Sequence, residues 1–344
     1  MKSNPLIGLL VLSLNACTLL HTVEAALPEV ASQATATKLP NVFCGSRPEC
    51  AYLLFTPTLP TSAQNPAFSP DGKTVLFTIF HQGYNDGPAG LYLLPLASNV
   101  ISTLLFDDDQ DSVNLPGSSW NADTNRVTFA SDREDTDEIW TISPDGSNLL
   151  RITHHTSATY FIEPSFSPNG QWIVFEVDND APEDKQQGSI WKIRIDGSGL
   201  TKLVGGTGSG RDDRQPNWSP RGDRILFQRR LVGTDDWNLY TMAPDGSDIQ
   251  PVTDTPSGDT DASWSPDGDW IVYSADFGAA PLPNIFVIPA VGGKPVRITH
   301  DDNHEDGAPS WSPDGKWIAF ESHKNENEDS PTSLWIIAVP NLNP

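Results

Sequence analysis

Pro309-Ser310-Trp311-Ser312-Pro313-Asp314-Gly315-Lys316-Trp317-Ile318-Ala319-Phe320 sets an aromatic residue, a Ser-Pro-Asp-Gly turn and an apolar run side by side. Proline presets one turn dihedral and glycine supplies the positive φ at the other, so the stretch reads as two short strands joined by a tight turn. Near copies recur at five earlier places: Phe68, Trp120, Phe166, Trp218, Trp264 and Trp311 hold the same position, at intervals of 52, 46, 52, 46 and 47 residues. That period is the one expected of propeller blades of four strands each. Helical solenoids share the period but not the content, which here is short β-branched or aromatic runs broken by Pro, Asp and Gly.

Working outward, each turn is followed by an apolar second strand, as in Val75-Leu76-Phe77 or Ile271-Val272-Tyr273. A variable loop leads to a third strand with an aromatic in second place, as in Ile139-Trp140 or Leu334-Trp335. A second turn, such as Pro144-Asp145-Gly146-Ser147, leads to a fourth strand ending Arg151-Ile152-Thr153, Pro251-Val252-Thr253 or Arg297-Ile298-Thr299. The last unit stops after its third strand, which would leave an open edge. Leu54-Phe55-Thr56 matches the missing fourth strand, because Thr56 precedes Phe68 by the same 12 residues that separate Thr299 from Trp311. The predicted fold is an all-β, six-bladed β-propeller over residues 52–340, closed by an N-terminal strand that completes the last blade.

These residues resemble the TolB-like propeller repeat, and Phe129-Ala130-Ser131-Asp132-Arg133 through Arg151-Ile152-Thr153 resembles it most. The resemblance implies the propeller and, more loosely, an envelope component that docks a lipoprotein partner. TolB itself carries a separate α/β domain before its propeller. Here about 25 residues are expected between the leader and the first blade strand, so the resemblance extends to the propeller and not to the Tol–Pal role.

The N-terminus carries Lys2, an apolar stretch from Leu6 and then Val23-Glu24-Ala25, which reads as a secretory signal peptide over residues 1–25. The alternative reading takes Leu14-Asn15-Ala16-Cys17 as a lipobox, with Cys17 as a lipid anchor. Both export the chain, to a periplasmic or secreted location or to a membrane surface. No later apolar run reaches the roughly 20 residues of a spanning helix. Residues 26–51 form an N-terminal extension in which Cys44 and Cys50 are expected to pair, since an oxidising compartment favours a disulfide; residues 341–344 form a tail. The chain has 45 acidic and 21 basic side chains and a formal charge of −24. Such a field repels phosphates, which excludes nucleic acid as a partner and favours cations or basic proteins.

Strand order places the fourth-to-first and second-to-third loops at one end of the axis and the Asp-Gly turns at the other. His81, His154, His155, His300, His304 and His323 all fall at the first end, with Asp107, Asp108, Asp109, Asp111, Asp212, Asp213, Asp254, Asp259, Asp261, Asp301, Asp302, Glu305 and Asp306. Three residues before the repeat aromatic stand Asn65, Glu163, Gln215 and Asp261, with Gly117 and Ala308 in the other two blades. Two carboxylates and two amides converging on the axis suit a hard cation such as Ca2+; the plainer reading is that they cap strand ends. His154 or His155 with His300 or His304 would suit a transition metal instead, and the mouth would then act as a metal-dependent lyase or hydrolase on an extracellular polymer. The chain has no Gly-x-Ser-x-Gly elbow, and Gly205 to Gly210 lacks the Lys-Ser/Thr of a phosphate loop. Arg211, Arg214, Arg229 and Arg230 are expected to pair with Asp212, Asp213, Asp235 and Asp236. Ten of the eleven tryptophans fall at strand or repeat positions, where packing explains them, and Trp237 in a variable loop is the candidate ligand contact. The expected function is that of an exported binding or scaffold propeller whose acidic mouth takes a cation or a protein partner of the cell envelope.

Overall fold

Five of the six innermost strands break register at one place, two or three residues before the repeat aromatic: Gln64/Ala67, Ile162/Ser165, Arg214/Asn217, Thr260/Ser263 and Gly307/Ser310. Each break is a β-bulge. The computed structural model in which they lie describes Arg47 and residues 50–98, 100–106, 113–114, 120–134, 136–156, 159–179, 185, 187–276, 282–324 and 331–342. The leader, Cys17, Cys44, Asp107, Asp108, Asp109, Asp111 and Gly117 lie outside the described residues.

β1 (Tyr52–Phe55) precedes the first blade, whose strands are β2 (Ser62–Phe68), β3 (Thr74–Phe80), β4 (Ala89–Pro95) and β5 (Ser102–Phe106). Blade two has β6 (Val113–Asn114), β7 (Trp120–Asn121), β8 (Arg126–Ser131), β9 (Glu138–Ile142) and β10 (Leu150–Arg151), with β6 and β7 both pairing β8. Blade three has β11 (Thr159–Phe166), β12 (Trp172–Asn179), β13 (Ser189–Arg194) and β14 (Thr201–Gly205). Blade four has β15 (Arg211–Trp218), β16 (Ile225–Leu231), β17 (Asn238–Met242) and β18 (Gln250–Pro251). Blade five has β19 (Thr260–Trp264), β20 (Trp270–Ala275), β21 (Asn284–Pro289) and β22 (Val296–Arg297). Blade six has β23 (His304–Trp311), β24 (Trp317–Lys324) and β25 (Ser333–Ala338), and β1 supplies its outer strand through Tyr52↔Ile336 and Leu53↔Trp335. The six-bladed all-β ring and its closure are therefore as the repeat spacing predicts.

Cores form between neighbouring blades rather than within them. Val75, Phe77 and Ile79 of blade one pack with Ala319, Leu334 and Ile336 of blade six, for example, and all six are buried. The repeat signature is spent on local wiring. In the Ser-Pro-Asp-Gly turns the serine hydroxyl donates to the aspartate and accepts from the next strand, as Ser69 Oγ to Asp71 Oδ1 at 2.7 Å and Thr74 N to Ser69 Oγ at 3.0 Å. Gly72 there sits at φ 68°, open to glycine at no steric cost. The fourth strands of blades two, four and five are only two residues long, because the threonine that follows turns inward as a cap. Thr153, Thr253 and Thr299 accept from the backbone N–H of Ile139, Leu239 and Ile285 at 2.9, 2.8 and 2.9 Å.

Candidate functional site

Two layers of side chains, two residues apart on the innermost strands, meet at the loop end of the axis. In the first, five residues before the repeat aromatic, stand Ala63, Phe161, Asp213, Asp259 and Asp306. The backbone N–H of each donates to a carbonyl of the preceding blade, at Thr332, Asp137, Gly188, Trp237 and Pro283 respectively, with lengths of 3.0–3.3 Å. The three aspartates of this layer are completely buried and are each satisfied within the protein. Asp306 receives both terminal nitrogens of Arg47, at 2.9 and 2.8 Å, and that guanidinium also lies over the rings of Phe320 and Trp335. Asp213 receives Arg229 Nε at 2.5 Å and Nη2 at 3.1 Å. Asp259 has no cation against it among the described residues and is held by the hydroxyls of Thr255 and Ser257 at 2.7 and 2.9 Å; burial raises its pKa against those hydrogen bonds.

The second layer holds the residues predicted to converge on the axis. Asn65, Glu163, Gln215, Asp261 and Ala308 occupy the bulges with φ of 53°, 52°, 49°, 52° and 44°. This left-handed region disfavours any side chain but Asn or Asp, and it turns each of these residues out of the strand alternation. All five are half-buried. Glu321 of blade six accepts from the Asn65 N–H at 2.8 Å, and Glu176 of blade three accepts from the Gln215 N–H at 3.0 Å. Gln215 then grips Asp261 reciprocally: its Nε2 donates to Asp261 Oδ1 at 2.9 Å, and its Oε1 accepts from the Asp261 N–H at 3.0 Å.

Glu176 and Glu321 were missed by sequence reasoning. They follow the aromatic of the second strand, where the other blades carry Thr78, Ala130, Gln228 and Ser274. A carboxylate inside an apolar strand of a repeat is the signal that would have found them. Each is almost wholly buried, at 1% and 4% exposure. Burial pushes the Glu321 pKa up to about 7, and the charge of Asp261 adds to it, against the donors Asn65 N–H and Tyr84 O–H. Burial likewise drives Glu176 well upward despite the Arg214 cation, with Glu163 and Asp178 adding to the rise. Asp261 is raised by burial too, opposed by Gln215, Thr260 and the Ala308 backbone. Tyr84, from the β3–β4 loop, donates to Glu321 Oε1 at 3.0 Å and packs on His323 with ring centroids 5.0 Å apart. The charge of Glu321, then burial, raises the Tyr84 pKa.

The remaining candidates are scattered. His155 stacks on Phe161 at 4.2 Å, its Nε2 lies 2.6 Å from Thr159 O and its Nδ1 lies 3.0 Å from Glu138, so the ring is built into blade two's edge. His304 Nδ1 lies 2.9 Å from Asp301, while His154 and His300 are exposed. Among the described residues no three His, Cys, Asp or Glu side chains gather closely enough to share a metal ion. Arg214 and Arg230 both bind Asp212, with Nη2 to Oδ2 distances of 2.9 and 3.1 Å, as the expected pairing has it. Both guanidiniums also lie over the Trp237 ring, 5.3 and 4.6 Å from its centroid, so the indole already has protein cations against it. Cys50 is disulfide-bonded.

A family model described as the TolB beta propeller domain matches residues 56–235 and 213–330. An uncharacterized Agrobacterium fabrum protein, Atu1656, is 28% identical over 216 residues, covering 60% of this chain and 67% of its own length. A 121-residue stretch is 36% identical to dipeptidyl-peptidase 5 of Porphyromonas endodontalis, covering 35% of this chain but only 16% of that protein. The crystal structure of TolB from Acinetobacter baumannii superposes with a TM-score of 0.56 at 15% identity, over 81% of this chain and 63% of that one, which is a likeness of fold. The chain belongs to the TolB beta propeller domain family.

Proposed function

We propose that the protein is an exported binding propeller whose axial mouth captures a cation, carried either as a free ion or on a basic segment of a cell-envelope protein. One observation carries the reading: Glu163, Asp261, Glu176 and Glu321 crowd the same end of the axis, and three of them are held above the ordinary carboxylate range by burial and by one another. Of the cations among the described residues, Arg214 lies 3.9 Å from Glu176. An incoming positive charge would relieve Glu321, Glu176 and Asp261, whereas Asp213 and Asp306 one layer away already hold guanidiniums. The bulges support the reading as well, since strained backbone that persists at a cluster of polar groups is where binding sites are built.

The test is calorimetric titration of the mature protein, prepared without affinity metal, with Ca2+, with Mn2+ and with a lysine-rich peptide, alongside Glu163→Gln and Asp261→Asn. Loss of binding in both variants with unchanged melting temperature supports the mouth. Stoichiometric Mn2+ retention that survives both variants and is released by His154→Ala or His300→Ala would replace this reading with the metal-dependent enzyme.

A further inference from the structure

At the opposite, turn end of the ring, the repeat places a tryptophan at the start of the second strand in blades three, five and six: Trp172, Trp270 and Trp317. Two of these indoles are covered from within the chain. Lys192 and Arg194 lie over Trp172 at 4.9 and 4.3 Å, and Tyr52 meets Trp317 edge-on at 6.3 Å and 67°. The cover follows from cross-strand pairing: Arg194 faces Trp172 in blade three, whereas Pro289 faces Trp270 in blade five. Trp270 therefore has no cation or ring over it among the described residues, and it lines a groove of about 880 Å³ between the turns of blades four and five.

The groove combines Trp264 and Trp270 with Arg221, Arg224, Asp223 and Asp269. Arg221 pairs with Asp269 at 2.6 Å, and two guanidiniums face two carboxylates, so the lining is charge-balanced and suits a neutral guest. Its rim carries Val291, which is 93% exposed. A groove of this volume, in which two indoles and a Pro-Ala-Val edge alternate with fixed polar groups, has room for a guest larger than a single side chain. Trp and Arg are also the side chains that concentrate binding energy at protein interfaces.

We propose that this groove is a second binding site, which takes a neutral peptide segment by setting an aromatic side chain against Trp270, as Tyr52 meets Trp317 edge-on in blade six. The site is independent of the mouth, so it stands whatever the mouth binds. The probe is acetyl-Ala-Tyr-Ala-amide, followed by chemical-shift perturbation of the indole N–H signals, with acetyl-Ala-Ala-Ala-amide as the reference. Saturation in the roughly millimolar range by the tyrosine peptide is expected, with a Kd at least tenfold below that of the reference peptide. Trp270→Ala and the rim substitution Val291→Arg should each abolish it, and Trp172→Ala should leave it unchanged; Val291→Arg, at an exposed position, keeps the test valid if Trp270→Ala unfolds. Equal shifts from both peptides, or binding that survives Val291→Arg and Trp270→Ala, overturns the proposal. Saturation by cellotriose in place of the tyrosine peptide overturns it in favour of a carbohydrate site.

Discussion

Two layers on the same innermost strands, separated by a single pleat, treat negative charge in opposite ways. In the layer of Asp213, Asp259 and Asp306 every carboxylate is completely buried and closed off by Arg229, by hydroxyls or by Arg47. In the layer of Asn65, Glu163, Gln215 and Asp261 the side chains are half-buried on left-handed backbone, backed by Glu176, which has a backbone N–H donor and Arg214 at 3.9 Å, and by Glu321, which takes the Asn65 N–H and the Tyr84 hydroxyl. The first layer is structure: a buried charge answered by a bidentate guanidinium holds two segments in register. In the second, burial raises the pKa of Glu176, Asp261 and Glu321, which is the condition under which an external cation gains most. Charge counted along the sequence merges the two layers and so overstates how much of the mouth is free to bind.

The sharpest way to break the comparison is Arg47→Ala. It strands Asp306 without its cation, and removing one partner of a buried pair costs about 3–5 kcal/mol; urea denaturation should show that loss, and Asp306→Asn added to Arg47→Ala should recover part of it. If Arg47→Ala were neutral, the first layer would not be the compensated one. Next is Glu321→Gln. The folded pKa of Glu321 is raised from 4.5 to about 7, so the native state holds its proton more tightly than the unfolded chain. Its contribution therefore favours folding below pH 4.5 relative to high pH and turns into a penalty as pH rises through 7, by roughly 3 kcal/mol. Glu321→Gln should thus stabilise at pH 8 and do little at pH 4.5, which paired unfolding curves will read; a pH-independent effect would deny the uncompensated state of the second layer.

Binding should track the same titration. Cation affinity at the mouth is expected to fall at least tenfold between pH 8 and pH 5.5, because protons compete for Glu321, and Asp261→Asn should reduce it by a similar factor at pH 8 with a melting temperature within a degree or two of wild type. Calorimetry at the two pH values checks both. The smallest expected effect is at Ala308, whose φ of 44° makes no use of its methyl. Ala308→Gly should raise stability by about 0.5 kcal/mol, relief of left-handed strain exceeding the added chain entropy, whereas an alanine anywhere in the regular part of the strand would lose by the same change.

What the sequence made legible follows from repetition. Trp311 and its five counterparts, the Ser-Pro-Asp-Gly turns and the Arg-Ile-Thr ends recur because each blade must solve the same local problem, and the bulge residues could be singled out by their fixed distance from the aromatic. What lay hidden was what does not repeat. Arg47 stands once, in an extension with no pattern, and its role depends on contacts more than 250 residues away, at Asp306 and Ser322. Tyr84 comes from a variable loop and meets Glu321 only after the ring has closed. Trp237, the indole that looked free, is covered by guanidiniums because Arg214 and Arg230 sit on adjacent strands, a proximity that linear spacing does not display.

The pairing of β1 with β25 sets an order of events. During synthesis Tyr52 emerges early and must wait for Ile336 before it has a strand to join. Until then blade six lacks its outer edge and the Tyr52 ring has no Trp317 to rest on. The ring is thus a clasp, fastened by joining segments that lie about 280 residues apart, and its closing pair cannot form until the last blade has been synthesised.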